Sequence, residues 1–416
     1  MKDLQAVRGT RDLMGGELAR HRRITDRFRN LAERYGFDAI DTPVFEFTEV
    51  FKRTLGETTD VVTKEMYTFE DKGGDSLTLR PEPTAGIARA FISGGWQQHL
   101  PMKLYTYGPM FRYERPQKGR LRQFHQLDAE ILGVPEPQAD IELISMGQQL
   151  LNELGIAQHV TLELNTLGDT ECRAKYRDVL VDYLSAYKAD MSPESLDRLE
   201  RNPMRILDSK DPRDRALVEK APMLADHLNA QSEDFFAAVR DGLEALGIAY
   251  RLNPSLVRGF DYYSHTAFEF TTTALGAQGT VIGGGRYDRL IEFMGGPPTA
   301  GVGWGAGIER LSMLVAEAPA AARPVAVIPV GDAVQAHCLA LAGELRAAGI
   351  VTDMGYRGNV GKRMKQADRK NAWAALLVGE DEMARGVVTL KRFDEGAQEE
   401  VRREALVSRL KELAPA

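Results

Sequence analysis

Arg112, Glu114, Arg120, Arg122, Phe124, Gln126, Asp128 and Glu130 stand close together in the segment GPMFRYERPQKGRLRQFHQLDAEILG, residues 108–133. Guanidinium groups, carboxylates, an amide and an aromatic ring at this density suit recognition of a small polar or phosphorylated substrate. The segment reads as strand, loop and strand, and alternation along a strand sorts its side chains by face. On the returning half Phe124, Gln126, Asp128 and Glu130 share one face, and His125, Leu127, Ala129 and Ile131 share the other. On the outgoing half Arg112 and Glu114 share a face between Phe111 and Tyr113. With the apolar side on a core, the opposite side presents an aromatic, an amide and two carboxylates beside a guanidinium. A solvated edge hairpin gives the same alternation, so this segment alone leaves both readings open.

Two glycine patterns bear on the choice. In AGVGWGAGIER, Gly301, Gly303, Gly305 and Gly307 occur at strict two-residue spacing, and VIGGGRYDRL places Gly283, Gly284 and Gly285 inside another strand-like run. A strand with glycine along one face loses stability, and such glycines often mark close approach of a ligand or another backbone. A sheet bent hard against a helix is the other explanation. No GxxxxGK[ST] occurs, which leaves a P-loop unsupported. The glycines at 301 to 307 lie within a strand, not at a strand-to-helix turn followed by an acidic ribose ligand, which argues against a dinucleotide fold. What remains is a broad antiparallel sheet with one glycine-floored face, ringed by Arg112, Arg258 and Arg310. Three guanidinium forks suit a polyphosphate, whose oxygens they match in charge and geometry.

The elements that must position these residues are readable in outline. Phe28, Leu31 and Tyr35 at helical spacing predict an amphipathic helix over 18–35, stopped by Gly36. FDAIDTPVFE follows as a strand, and SLTLR runs into PEPTAGIARAFI, a helix opening near Thr84, a residue suited to an N-cap. A helix near 139–154 and the strand VTLELNTLG come next. From 169 to 240 the chain is charged, helical and punctuated by prolines, which predicts a helical insertion between strands of one sheet. Strands resume at AYRLNPSLVRGFDYYSHTAFEFTTT, and beyond the linker-like AEAPAAARP alternating β and α elements predict a small α/β domain.

The totals set outer bounds. A chain of 416 residues is long enough for two or three domains with their own cores. No apolar run can span a bilayer, and MKDLQAVRGTRDLMGGE lacks the apolar core of a signal peptide, so a cytoplasmic protein away from membranes is expected. Cys172 and Cys338 stand far apart without metal-ligand spacing, so neither a disulfide framework nor a structural metal site is expected. A net charge of −7 argues against a general coat of nucleic-acid contacts while leaving room for a local basic patch such as RGNVGKRMKQADRK.

At these motifs the chain resembles the histidyl-tRNA synthetases, a family of class II aminoacyl-tRNA synthetases, over essentially its whole length. GFDAIDTPVFE resembles motif 1 of the class, FRYERPQKGRLRQFHQLDAE motif 2 and GVGWGAGIERL motif 3. LVRGFDYYSHTAFEF and GGGRYDRL resemble two motifs peculiar to the histidine enzymes. Near the N-terminus the family reads something like RGTRDILP, whereas this chain reads RGTRDLMGGE. The resemblance implies an α+β catalytic domain over 1–322 on a mainly antiparallel sheet flanked by helices, interrupted by the 169–240 insertion. It also implies a C-terminal α/β anticodon-binding domain over 325–416.

The implied activity is ATP-dependent ligation: histidine and ATP give histidyl-adenylate and pyrophosphate, and histidine then passes to the 3′ end of its tRNA. Arg112 and Arg258 match the arginines that act at the α-phosphate and the amino-acid carboxylate. ATP binding falls to Arg112, Glu114, Arg120, Phe124 and Arg310, with adenine between Phe124 and Arg310 and Mg2+ accompanying the phosphates. Glu82, Thr84 and Gln126 are implied for the histidine ammonium, and Glu130, Tyr262 and Tyr263 for the imidazole. Arg112, at the carboxylate, and Arg258 are also implied for histidine binding. Lys362, Arg363, Lys365 and Arg369 become candidates for contact with tRNA, and motif 1 implies a homodimer. The alternative within reach of the same motifs is a non-catalytic, histidine-sensing regulatory subunit of ATP phosphoribosyltransferase.

Overall fold

The computed structural model describes residues 4–55, 61–209, 211–257, 262–276, 279–317 and 322–415. The chain divides into two compact units, Met1–Ala318 and Pro319–Ala416.

In the first unit the strands are β1 (Asp38–Ala39), β2 (Phe45–Phe47), β3 (Tyr67–Glu70), β4 (Ser76–Leu79), β5 (Met102–Phe111), β6 (Gln123–Leu132), β7 (Thr161–Thr166), β8 (Arg251–Leu252), β9 (Ser264–Thr271), β10 (Thr280–Arg286) and β11 (Gly301–Gly307). Among the described residues eight of them form one sheet in the order β1-β5-β6-β11-β10-β9-β7-β8, antiparallel except for the two edge pairs. β2, β4 and β3 make a small separate sheet. The 3.6-residue periodicity of the helices Gly15–Arg34, Gln138–Glu153 and Ala230–Ala245 supplies Phe28, Leu143, Leu150 and Val239 to one face of the large sheet. Leu127, Ala129 and Ile131 of β6 and Val302, Trp304 and Ala306 of β11 project into that core. The buried Trp304 indole donates to Leu143 O at 3.0 Å, so its N–H is satisfied. Period-two alternation then sends Gln126, Asp128, Glu130 and the β11 glycines to the opposite face.

Several local expectations differ from what forms. β5 ends at Phe111, and Arg112 and Glu114 belong to the loop beyond it, not to a strand. There Tyr113 N is drawn to Glu65 O (2.6 Å) and Glu114 N folds back on Arg112 O (2.8 Å), which breaks the ladder. The helix Thr84–Ser93 begins where expected, but its cap is the Glu82 carboxylate, which accepts from Thr84 N (2.9 Å) and Ala85 N (2.8 Å). Thr84 uses its hydroxyl elsewhere. FDAIDTPVFE yields only the short β1 and β2. Between Thr170 and Leu228 the helical stretch has its own apolar cluster, including Tyr176, Leu180, Leu184 and Leu224. The helix Ala230–Ala245 runs past residue 240 and packs into the main core through Val239 and Leu243.

The second unit carries β12 (Val325–Pro329), β13 (Thr352–Met354), β14 (Ala374–Val378), β15 (Val387–Arg392) and β16 (Gln398–Arg402), in the order β13-β12-β14-β15-β16. The helix Gln335–Ala347 covers one face, and the basic helix Val360–Arg369 lies on the other through Ala367 and Met364. On that helix Arg363 departs from the expectation of a surface cation. It is buried beside Ala367 and donates to Pro329 O, because helical spacing puts 360, 363, 364 and 367 on the inner face. Lys362, Lys365 and Arg369 are exposed. Among the described residues no helix is long and apolar enough to cross a membrane.

Candidate functional site

The cross-strand register explains the glycines first. Gly303 lies opposite Glu130, Gly305 opposite Asp128 and Gly307 opposite Gln126. The acids of β6 therefore lie across glycine backbone. A Cβ on Gly303 would collide with the Glu130 carboxylate, and one on Gly301 with the Tyr287 ring. Four glycines in a strand cost on the order of 2–4 kcal/mol relative to alanine. That cost goes into room for buried acids and for a cavity above them.

This cavity, about 430 Å³, falls within the roughly 300–1,000 Å³ of small-molecule sites. Its wall brings together Glu82, Thr84, Arg112, Glu114, Arg120 and Phe124 from motif 2 and its surroundings, with Gln126, Tyr262, Tyr263 and Arg310 completing it. Glu130 is not on the open wall. It is 1% exposed, and it accepts from the Thr84 hydroxyl (2.6 Å) and the Tyr287 hydroxyl, one on each oxygen. Arg258 lies outside the described residues; its described neighbours Val257 and Tyr262 line the cavity.

Several polar groups on the wall are held by identifiable partners. Arg112 Nε donates to Pro81 O at 2.9 Å, and its guanidinium lies 5.5 Å from the centre of the Phe124 ring. Arg310 reaches across the motif 2 loop, donating to Gly119 O (3.3 Å) and to Thr280 O (2.8 Å). Arg120 and Glu114 form an ion pair. Tyr262 and Tyr263 stack at a tilt, ring centres 4.6 Å apart, and Tyr287 meets Tyr262 edge-on at 5.7 Å. Burial pushes the Tyr262 and Tyr287 hydroxyls well above the usual phenol range, with the nearby acids adding to it. Burial likewise raises Glu82, opposed by its backbone donors Ala85 and Thr84 and by Arg112.

Glu309, which also lines the cavity, accepts from the His125 backbone N–H at 3.1 and 3.0 Å, and its Oε1 lies 2.9 Å from the His125 ring Nδ1. Burial alone would raise this carboxyl, but the His125 ring and backbone hold it below the usual range. The clamp fixes the strand position between Phe124 and Gln126 and the start of the helix that carries Arg310. Arg286, fully buried, plays a similar part at the other end. It bridges Asp140 on the helix Gln138–Glu153, Asp288 and the carbonyls of Val134 and Glu136.

Sequence reasoning assigned no role to Tyr287, Glu309 or Asp128. Tyr287 sits inside the GGGRYDRL motif, and Asp128 shares the alternating face with Gln126 and Glu130, so both left a signal. His21, whose ring meets His125 edge-on at 4.6 Å, left none. A larger cavity, about 690 Å³, lies elsewhere beside Gln149, Asn152, Leu246 and Tyr250. It brings no set of charges together, since its Arg251 is committed to Glu163.

Comparison with known proteins settles the family. A family profile described as Histidyl-tRNA synthetase matches residues 9–311, and one described as Anticodon binding domain matches 324–413. The chain belongs to the histidyl-tRNA synthetase family. It is 58% identical over 402 residues to a histidine–tRNA ligase of Rhodospirillum rubrum, covering 96% of this chain and 97% of that protein. It is 53% identical over 414 residues to the histidine–tRNA ligase of Gluconacetobacter diazotrophicus, covering 100% of each. The crystal structure of S. aureus apo histidyl-tRNA synthetase superposes with a TM-score of 0.81 at 32% identity, over 98% of this chain and 100% of that one. As in that family, a large mixed sheet flanked by helices is joined to a smaller C-terminal α/β unit.

Proposed function

We infer that the chain works as an ATP-dependent histidine–tRNA ligase and that the 430 Å³ cavity over the glycine floor is where histidine meets ATP. The observation that carries the placement is the convergence of Arg112, Arg310, Phe124, Gln126 and Tyr263 on one cavity in a member of this family. Histidine carboxylate attacks the α-phosphate, pyrophosphate leaves, and the histidyl group then passes to the terminal ribose of tRNA. Both partners in the first step are anions, so positioning and charge neutralisation supply most of the acceleration.

In this reading Arg112 bridges the α-phosphate and the carboxylate, joined by Arg258. Phe124 and Arg310 hold adenine between a ring and a guanidinium. Glu114 exchanges Arg120 for the adenine amino group, which frees Arg120 for the outer phosphates. Thr84, Gln126 and Glu82 face the histidine ammonium. Tyr263 and Glu130 select imidazole with Tyr262 shaping the pocket, Glu130 exchanging one of its hydroxyl donors, Thr84 or Tyr287, for a ring N–H. Mg2+ enters with ATP as substrate. Glu82 and Glu309 already hold backbone donors, so the triphosphate itself supplies the larger share of the oxygen ligands a hard cation needs.

The outer surfaces fit the same reading. Lys362, Lys365 and Arg369 offer exposed cations to tRNA, and Arg173, Arg177 and Arg201 of the helical stretch line a basic cavity that shares Tyr262. On β2, Phe45 and Phe47 point outward while Glu46 between them points in toward Arg89. That inverted pattern supports a homodimer through motif 1, since exposed apolar patches on soluble domains mark contacts. A cytoplasmic site of action is proposed with it. The regulatory-subunit alternative is not favoured, because the relatives matched over nearly the full length are ligases.

The test is ATP–pyrophosphate exchange with each of the twenty amino acids. Histidine alone is expected to support exchange. Exchange with none of them, despite histidine binding, would return the regulatory reading to the front.

A further inference from the structure

Asp128 is the most deeply buried of the cavity-wall acids that the proposed function leaves without a task. It stands on β6 between Gln126 and Glu130, opposite Gly305 of β11, on the face turned to the cavity. It is 2% exposed, yet its Oδ1 has no hydrogen-bond partner among the described residues, and neither has Oε1 of the adjacent Gln126. A buried acceptor without a donor carries a free-energy penalty, and two side by side on a cavity wall point to a ligand that brings donors. The glycine floor keeps the approach open. A Cβ on Gly305 would lie 3.3 Å from Gln126 Nε2 and 3.4 Å from Asp128 Oδ2.

The surroundings decide which ligand. The acids facing Asp128 are Glu130 on its own strand and Glu82 ahead of the helix Thr84–Ser93. The cation facing it is Arg80, whose guanidinium is engaged by Pro109 O (3.0 Å) and Thr42 O (2.7 Å). Arg112 acts on Glu82, and the Tyr287 hydroxyl serves Glu130. Glu130, with hydroxyl donors from Thr84 and Tyr287, is the carboxylate better equipped to be charged. Asp128, whose Oδ1 has no donor, is the one better placed to keep a proton. Burial, followed by the charges of Glu130 and Glu82, keeps Asp128 protonated far above the usual carboxylate range. A cation with several N–H donors satisfies both open acceptors and compensates two neighbouring acids at once.

We propose that Asp128 is a further substrate-contacting residue, which with Gln126 forms the acceptor pair for the α-ammonium of histidine and gives up its proton to solvent as that cation binds. The proposal rests on the reading that this cavity binds histidine. The O–H bond of Asp128 breaks, the proton passes to buffer, and the ammonium keeps all three of its own.

Calorimetric titration of the full-length protein in two buffers of different ionisation enthalpy counts that proton. L-Histidine is expected to release it, whereas imidazole-lactate, with hydroxyl in place of ammonium, is expected to release none. Asp128→Asn is expected to abolish the release and to raise the histidine KM in pyrophosphate exchange about ten- to a hundredfold, the range of a charge-assisted hydrogen bond. Its ATP KM and the inhibition constant of imidazole-lactate stay within about twofold on the same argument. Equal proton release by both ligands, an unchanged histidine KM, or equal weakening of both ligands in the variant would overturn the role. The comparison of ligands on the unaltered protein decides the matter even if the variant does not fold. Failure of that protein to bind histidine at all would overturn the functional reading itself.

Discussion

Glu130 concentrates the residue-scale physics of the site. Burial pushes its carboxyl up to about 7 from an ordinary 4.5, against the lowering effect of the Thr84 and Tyr287 hydroxyls. A carboxyl raised in the folded state binds more protons there than in the unfolded chain. Its contribution to stability is therefore fully present below about 4.5 and is lost as pH rises through about 7. Thermal melts from pH 5 to 8 should show Glu130→Gln losing less stability with rising pH than the parent does; parallel slopes would contradict the assignment. At this scale the sequence was informative about type and face. Alternation along β6 put Gln126, Asp128 and Glu130 together, but which acid meets the cavity and which lies beneath it depends on Tyr287, more than 150 residues away.

At the scale of elements, β11 is shaped by its neighbour. Gly303 is irreplaceable on this geometry, since a Cβ would occupy the place of the Glu130 carboxylate, whereas Gly305 has 3.3 Å of clearance to a side chain that can move. Gly303→Ala is expected to cost about 1–3 kcal/mol in chemical denaturation, the range of core overpacking, and to raise the histidine KM at least tenfold. Gly305→Ala should be much milder in stability, and an equal loss would show that the strand tolerates no side chain for some other reason. The alternating glycines were legible as a bare face; that the face is filled partly by protein acids was not. The helix Thr84–Ser93 makes a related point. Its start was legible, but its cap is Glu82, because Thr84 is drawn away by a buried carboxylate that only the fold brings near.

For the whole molecule, the chain forms two units with separate cores. The cavity belongs wholly to the first, and the exposed cations Lys362, Lys365 and Arg369 to the second. Removing the residues after Pro324 should leave histidine-dependent pyrophosphate exchange within about threefold while tRNA charging falls by roughly a hundredfold or more, the scale of losing several phosphate contacts. Equal losses in both reactions would assign the second unit a role in folding instead.

From its residues alone, the chain determined its two-part organisation, the mainly antiparallel sheet, the family and the residue types of the cavity, because periodicity and motif spacing are local properties. Tertiary structure decided which of those groups are free to act. Arg363 is taken inward by the helix that carries it, Arg112 and Glu114 sit on a loop, and Glu130 is sealed by Thr84 and Tyr287. Each outcome depends on partners distant in sequence, since hydrogen bonding and burial are settled by what the fold brings within a few ångströms.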